Sequence, residues 1–192
     1  MENEEPIAIR IHGRGGQGSV TSAELVAQAA ISEDKYAQAF PSFGPERRGA
    51  PVQAFIRIDN NKQIRVRAGV TEPDIVVVLD PSLLDIVDIT SGLKDGGLMV
   101  INTKGSIKDK DIEDRFGAKY KMAIIDATSI AREFLGRPIV NTTMIGALVK
   151  ASAIIKLESL FQPLEKRFGK LAEKNKKAMI KSYAETRVKG ES

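Results

Sequence analysis

The chain has no cysteine and no tryptophan, one histidine, and aromatic residues at only 5%. Without cysteine it has no disulfide framework, no thiolate ligands for an iron–sulfur cluster and no thiol nucleophile. With His12 alone, neither a multi-histidine metal site nor a Ser-His-Asp triad can be built within it. So few aromatics leave little for a base-stacking platform. No apolar run approaches the roughly 18 residues needed to cross a bilayer. The opening residues Met1–Glu5 are acidic and lack the basic and apolar regions of a signal peptide, so a cytoplasmic chain is expected.

What is present is ordinary for a globular domain: 192 residues, 42% hydrophobic and 28% charged. The expectation is a single domain over 1–192. Lysine and arginine number 29 against 25 aspartates and glutamates, a net charge of +4. The excess lies in residues 165–192, where nine basic and four acidic side chains make +5 and leave the rest at −1. That run reads as a solvated helical face rather than a nucleic-acid interface, and no membrane contact is expected.

The run Ile7-Ala-Ile-Arg-Ile11 reads as a strand ending in a glycine cluster. After the cluster, Val20, Ala23, Ala27, Ala30 and Ile31 recur at helical spacing, and Thr21 with Glu24 has capping-box spacing. Strands are predicted at 35–40, 52–58 and 63–66, the last two joined through Asp59-Asn60-Asn61 as a hairpin. The continuous runs 75–79, 98–101 and 121–125 predict buried strands. Asp80 opens a short helix, a helix spans 127–135, and Asn141 or Thr142 caps a helical part over 141–192. Together these predict an α/β chain: a three-layer Rossmann-like domain with a mostly parallel sheet, an inserted β-hairpin and a helical C-terminal part.

The chemistry-bearing feature is His12-Gly13-Arg14-Gly15-Gly16-Gln17-Gly18-Ser19. Residues 13–18 satisfy G-x-G-x-x-G between a strand and a helix. Such glycines let backbone N–H groups approach an anion at a helix N-terminus. Arg14 adds a bidentate donor. A tight turn serving only strand–helix packing is the plainer alternative. A P-loop is excluded because Ser19-Val20 follows Gly18 where Lys-Ser/Thr is needed. The acid that holds an NAD ribose is missing, because the second strand ends at Ala39-Phe40-Pro41. A second candidate, Gly44-Pro-Glu-Arg47-Arg48-Gly-Ala-Pro51, could grip a phosphate, a carboxylate or a partner's acidic patch, or be a salt-bridged turn. His12 reads as a structural donor rather than a base, and Asp80 and Asn102 as either edge ligands or turn residues.

These residues carry a resemblance. The blocks 12–18, Tyr36–Pro51, Pro73-Asp74, Asp126–Thr128, Asn141–Ala147 and Glu173–Asn175 are together similar to gamma subunits of the pyruvate:ferredoxin oxidoreductase (pyruvate synthase) type, within the 2-oxoacid:acceptor oxidoreductases. The resemblance runs from about Ile7 to Tyr183. It implies an oxidoreductase complex that decarboxylates a 2-oxoacid oxidatively, passes the acyl group to coenzyme A and reduces ferredoxin. It implies thiamine diphosphate and 4Fe–4S clusters in alpha, beta and delta partners or their fused equivalents, with a CoA-proximal role for this chain. On that basis Gly13, Arg14, Gly15, Gly16, Gln17, Gly18, Ser19, Arg47 and Arg48 are expected to face coenzyme A phosphates or a partner. No residue here is expected to be catalytic, none to bind metal, and the isolated chain is expected to self-associate as a dimer. An independent dehydrogenase and a basic nucleic-acid module are the competing readings.

Overall fold

The structure is a computed structural model describing residues 5–42, 48–66, 68–103 and 109–189. Its centre is a seven-stranded sheet with strands β1 (Ile7–Arg14), β2 (Tyr36–Pro41), β3 (Pro51–Asp59), β4 (Ile75–Val78), β5 (Leu98–Asn102), β6 (Lys121–Ile125) and β7 (Arg187–Lys189). The spatial order is β2-β3-β1-β4-β5-β6-β7. Strands β1, β4, β5 and β6 are mutually parallel, while β3 runs antiparallel to both β1 and β2, and β7 antiparallel to β6.

The helices are α1 (Ser19–Ser32), α2 (Asp109–Phe116), α3 (Ala127–Leu135), α4 (Asn141–Ser152), α5 (Phe161–Phe168) and α6 (Ala172–Glu185). Strand alternation sorts the core into two layers. Ile9, Ile11, Ile56, Val77, Val100 and Ala123 face α1, α3, α4 and α6, burying Leu25, Val26, Ile130, Leu148 and Met179 with them. The in-between residues Val76, Val78, Met99, Ile101 and Ile124 face the other way, against Leu83, Ile89 and Ile112. Because both faces are covered, β4, β5 and β6 read as unbroken apolar runs, as predicted.

The hairpin is present, but its strands are β2 and β3. Residues 63–66 form no strand; Ile64 is buried and Gln38 Nε2 donates to its carbonyl at 2.7 Å. The segment therefore crosses toward β2 instead of pairing with β3. The helix α1 begins two residues before Thr21, with Gly18 as its N-cap and no side-chain cap, so the capping box does not form. Asn141 is the first helical residue of α4, preceded by Val140.

The C-terminal ends of β1, β4, β5 and β6 share one edge, where α1 and α3 begin. Helices α4 and α6 run side by side in the same direction. Thr142 bonds Asn175, a side chain on Gly146 would meet the Met179 carbonyl, and Lys150 covers the Tyr183 ring.

Candidate functional site

The glycine loop leaves the C-terminal end of β1 and enters α1. Gly16 and Gly18 have φ of +93° and +81°, a region that glycine alone enters without strain. Gly13 is needed for space: a Cβ there would lie 2.3 Å from Ser19 Oγ. The first N–H groups of α1 have no intrahelical acceptor, its first turn holds no acid, and Gly18 offers no side-chain cap. Ser19 is 2% exposed and, among the described residues, its Oγ has no hydrogen-bond partner. A buried hydroxyl and uncapped N–H groups at one place suit an oxyanion.

Gln17 folds the loop onto itself. Its Oε1 accepts the Arg14 N–H at 2.8 Å, and its Nε2 donates to Asp80 Oδ2 at 2.8 Å. Each guanidinium nitrogen of Arg14 has a partner: Nε lies 3.3 Å from Asp80 Oδ2, Nη2 donates to Ser82 Oγ at 2.8 Å and Nη1 to the Gly49 carbonyl at 3.0 Å. Burial disfavours the Asp80 carboxylate, but hydrogen bonds from Ser82 and Gln17 and the Arg14 charge outweigh that and hold its carboxyl below the usual range. Arg14 is thus a strut between three segments, each of its guanidinium nitrogens facing one of them.

The two sequence candidates meet. Gly15 N–H donates to the Ala50 carbonyl at 2.9 Å, Gly49 N–H donates to the Gly15 carbonyl at 3.1 Å, and Gly15 bridges to Arg48. Arg48 is exposed and has no side-chain partner among the described residues, so it is the available cation beside the loop. Arg47 lies outside the described residues.

The remaining edge residues are structural. His12 is 2% exposed and accepts from Arg10 Nε at 2.9 Å through Nε2, so it is an acceptor and not the expected donor. Burial first, then the Arg10 charge, push its pKa down to about 4 despite Asp88 nearby. Asn102 Nδ2 ties the Leu79 carbonyl at 2.9 Å to Thr128 at 3.0 Å. Asp80 caps the turn Pro81–Asp85 by accepting from Ser82 N–H.

Sequence reasoning did not anticipate two neighbours of the loop. Asn141, at the start of α4, packs its side chain against Gly18, and Ser22 Oγ donates to its carbonyl at 3.3 Å. Arg167, at the end of α5, donates to Thr21 Oγ1 at 3.4 Å in the first turn of α1. No local pattern marks contacts so distant along the chain.

The strand order also bears on dinucleotide binding. That arrangement places the second strand beside the first, so that its terminal acid reaches the ribose. Here β3 separates them, and β2 lies at the sheet edge. Among the described residues no acidic or histidine cluster could hold a metal, and no helix is long and apolar enough to cross a membrane.

Comparison with known proteins gives a consistent set of relatives. The sequence profile of the family described as pyruvate ferredoxin/flavodoxin oxidoreductase matches residues 8–185. The gamma subunit common to the pyruvate and ketoisovalerate oxidoreductases of Pyrococcus furiosus is 54% identical over 183 residues, covering 95% of this chain and 98% of that one. The crystal structure of the PORC subunit of Thermotoga maritima pyruvate oxidoreductase matches at TM-score 0.85 and 36% identity, over 97% of this chain and 100% of that one. The Magnetococcus marinus 2-oxoglutarate:ferredoxin oxidoreductase, solved with 2-oxoglutarate, coenzyme A and succinyl-CoA, shares the fold at TM-score 0.76 and 20% identity, over 95% of this chain and 31% of that one.

Proposed function

Because this chain belongs to the pyruvate ferredoxin/flavodoxin oxidoreductase family, as a gamma-type subunit of an oxidoreductase complex, we propose that it supplies the loop that receives the phosphates of coenzyme A. The complex it serves would convert pyruvate and coenzyme A reversibly to acetyl-CoA and carbon dioxide, with electrons passing to ferredoxin. Alpha, beta and delta companions, or their fused equivalents, would hold thiamine diphosphate and the 4Fe–4S clusters. This cysteine-free chain offers no thiolate to such a cluster. Thiamine diphosphate would supply the bond breaking at the 2-oxoacid, and the residues here would bind and orient the acyl acceptor. On its own, the chain would self-associate through surface that companions otherwise cover.

The observation that carries this reading is the junction of the two glycine segments over the uncapped start of α1. Gly13–Ser19 provide backbone donors and a hydroxyl without a partner among the described residues, and Arg48 stands beside them as an exposed cation. Coenzyme A carries a diphosphate and a ribose phosphate, which such donors favour over a ribose diol. Arg14 shapes the loop, and Arg47 belongs to the same basic segment. The test is the charge-reversed Arg48→Glu chain reconstituted with its companions. The KM for coenzyme A should rise about tenfold, the effect of losing one charge-assisted contact, with the 2-oxoacid KM unchanged. An unaltered coenzyme A requirement in this variant and in Ser19→Ala would remove the loop from the binding site.

A further inference from the structure

Two segments that resemble the family's, Asn141–Ala147 and Glu173–Asn175, have no part in the loop itself, yet the fold joins them to it. Thr142 Oγ1 donates to Asn175 Oδ1 at 2.8 Å, and Asn175 Nδ2 donates to the Leu171 carbonyl at 2.9 Å. Asn175 therefore fixes the start of α4 against the start of α6. Asn141, one residue before Thr142, is 5% exposed. Its Oδ1 accepts the Thr142 N–H at 2.9 Å, which sets the orientation of the amide. The amide nitrogen then points at Gly18, 2.6 Å from where a Cβ would stand. Among the described residues Asn141 Nδ2 has no acceptor.

Two polar groups thus stand unused along the glycine loop, the Asn141 amide beside Gly18 and the buried Ser19 hydroxyl beside Gly13. Each belongs to the first turn of a helix, and neither turn contains an acidic residue. Burying the Ser19 hydroxyl without a partner costs stability, and native chains rarely do so without a reason. Two helix N-termini add partial positive charge at the same place.

We propose that Asn141 contacts ligand: its side-chain amide donates a hydrogen bond to a phosphate of the coenzyme A held at the glycine loop, with Asn175 as the positioning residue behind it. This rests on the reading of Gly13–Ser19 as the coenzyme A phosphate site. The specificity follows from the locked amide. With its oxygen committed to Thr142, Asn141 presents only a donor, so it accepts an anion and rejects a second donor.

The test is Asn141→Asp in the complete enzyme complex. The carboxylate is the same size and can still accept the Thr142 N–H, and a negative charge favours the first turn of a helix. Melting temperature should therefore hold or rise, while the KM for coenzyme A rises about tenfold or more. The KM for the 2-oxoacid and the half-saturation by thiamine diphosphate should not move. Asn175→Leu should raise the coenzyme A KM about threefold, a part of the full Asn141 effect, and Asn175→Asp, which keeps the acceptor for Thr142, should restore most of it. An unchanged coenzyme A KM in Asn141→Asp, when Arg48→Glu raises it, overturns this inference alone. An unchanged value in both variants overturns the reading beneath it as well. A parallel rise for 2-oxoacid or thiamine diphosphate also overturns it, since Asn141 would then act on the assembly or another ligand.

Discussion

The Arg14 guanidinium and the Asp80 carboxylate, 3.3 Å apart, join the end of β1 to the residue that follows β4 and Leu79. Gln17 and Ser82 bond the same carboxylate, so four side chains form one knot beneath the glycine loop. The knot makes Arg14 a part of the scaffold and leaves Arg48 to meet an incoming anion.

A double-mutant cycle on Arg14→Ala and Asp80→Ala measures this knot. Both side chains are partly screened by water, so the pair should couple by only about 0.5–1 kcal/mol in thermal or urea unfolding. Additive effects of the two changes would show that the contact has no energetic weight.

Stability should depend on pH through His12. Its pKa in the folded chain is about 4, against 6.5 ordinarily, so the unfolded chain binds the proton more readily. The contribution is complete above about pH 6.5 and falls as pH drops toward 4, by up to about 3 kcal/mol. As the chain's one histidine, its ring signals can be followed by NMR without assignment. A midpoint near 6.5 in the folded protein would contradict the buried, Arg10-bonded geometry.

The carboxyl of Asp80 acts in the same sense, at lower pH. Its folded pKa lies below the ordinary value, so the stability it adds is present above about pH 4 and disappears as pH falls through the lowered value. Between pH 6 and 8 the loop should therefore keep one conformation, checked by amide shifts of Gly15, Gly16 and Gly18.

Gly16→Ala and Gly18→Ala separate backbone strain from crowding. Position 16 has positive φ but open space around it, so alanine should cost about 1 kcal/mol. Position 18 has positive φ and the Asn141 amide in the way, so its variant should lose more stability and more coenzyme A affinity. Equal unfolding midpoints for the two would count against the Asn141 contact.

Gly146→Ala probes the helix pair. A methyl group there would lie 2.2 Å from the Met179 carbonyl, so α4 and α6 must separate, at about 1–3 kcal/mol. Urea denaturation reads this directly, and an unshifted midpoint would mean the helices have room to spare.

Much of this architecture is legible in residue order because its signals are local. The runs Ile75–Val78 and Lys121–Ile125 are apolar on both faces, and the glycine cluster after Ile11 announces its turn. Strand β7 escaped notice because Arg187-Val188-Lys189 is too short to show alternation, and α2 because Asp109–Phe116 carries one buried isoleucine in a charged stretch. Ile64 and Val66 imitate a strand, but that segment packs across the sheet edge, a tertiary choice invisible to periodicity. At the site, the loop was readable and its companions were not. Asn141 looked like a helix cap, and only the packing of α4 against α1 brings it to Gly18.

Strand β7 has a consequence for biosynthesis. Arg187 pairs with Ile124, so the β6 margin of the sheet has no neighbour until the emerging chain has passed through the four helices α3 to α6 and reached Arg187. During that interval an open strand edge is available for wrong pairings. The sheet is therefore complete only once the residues that follow α6 have been made.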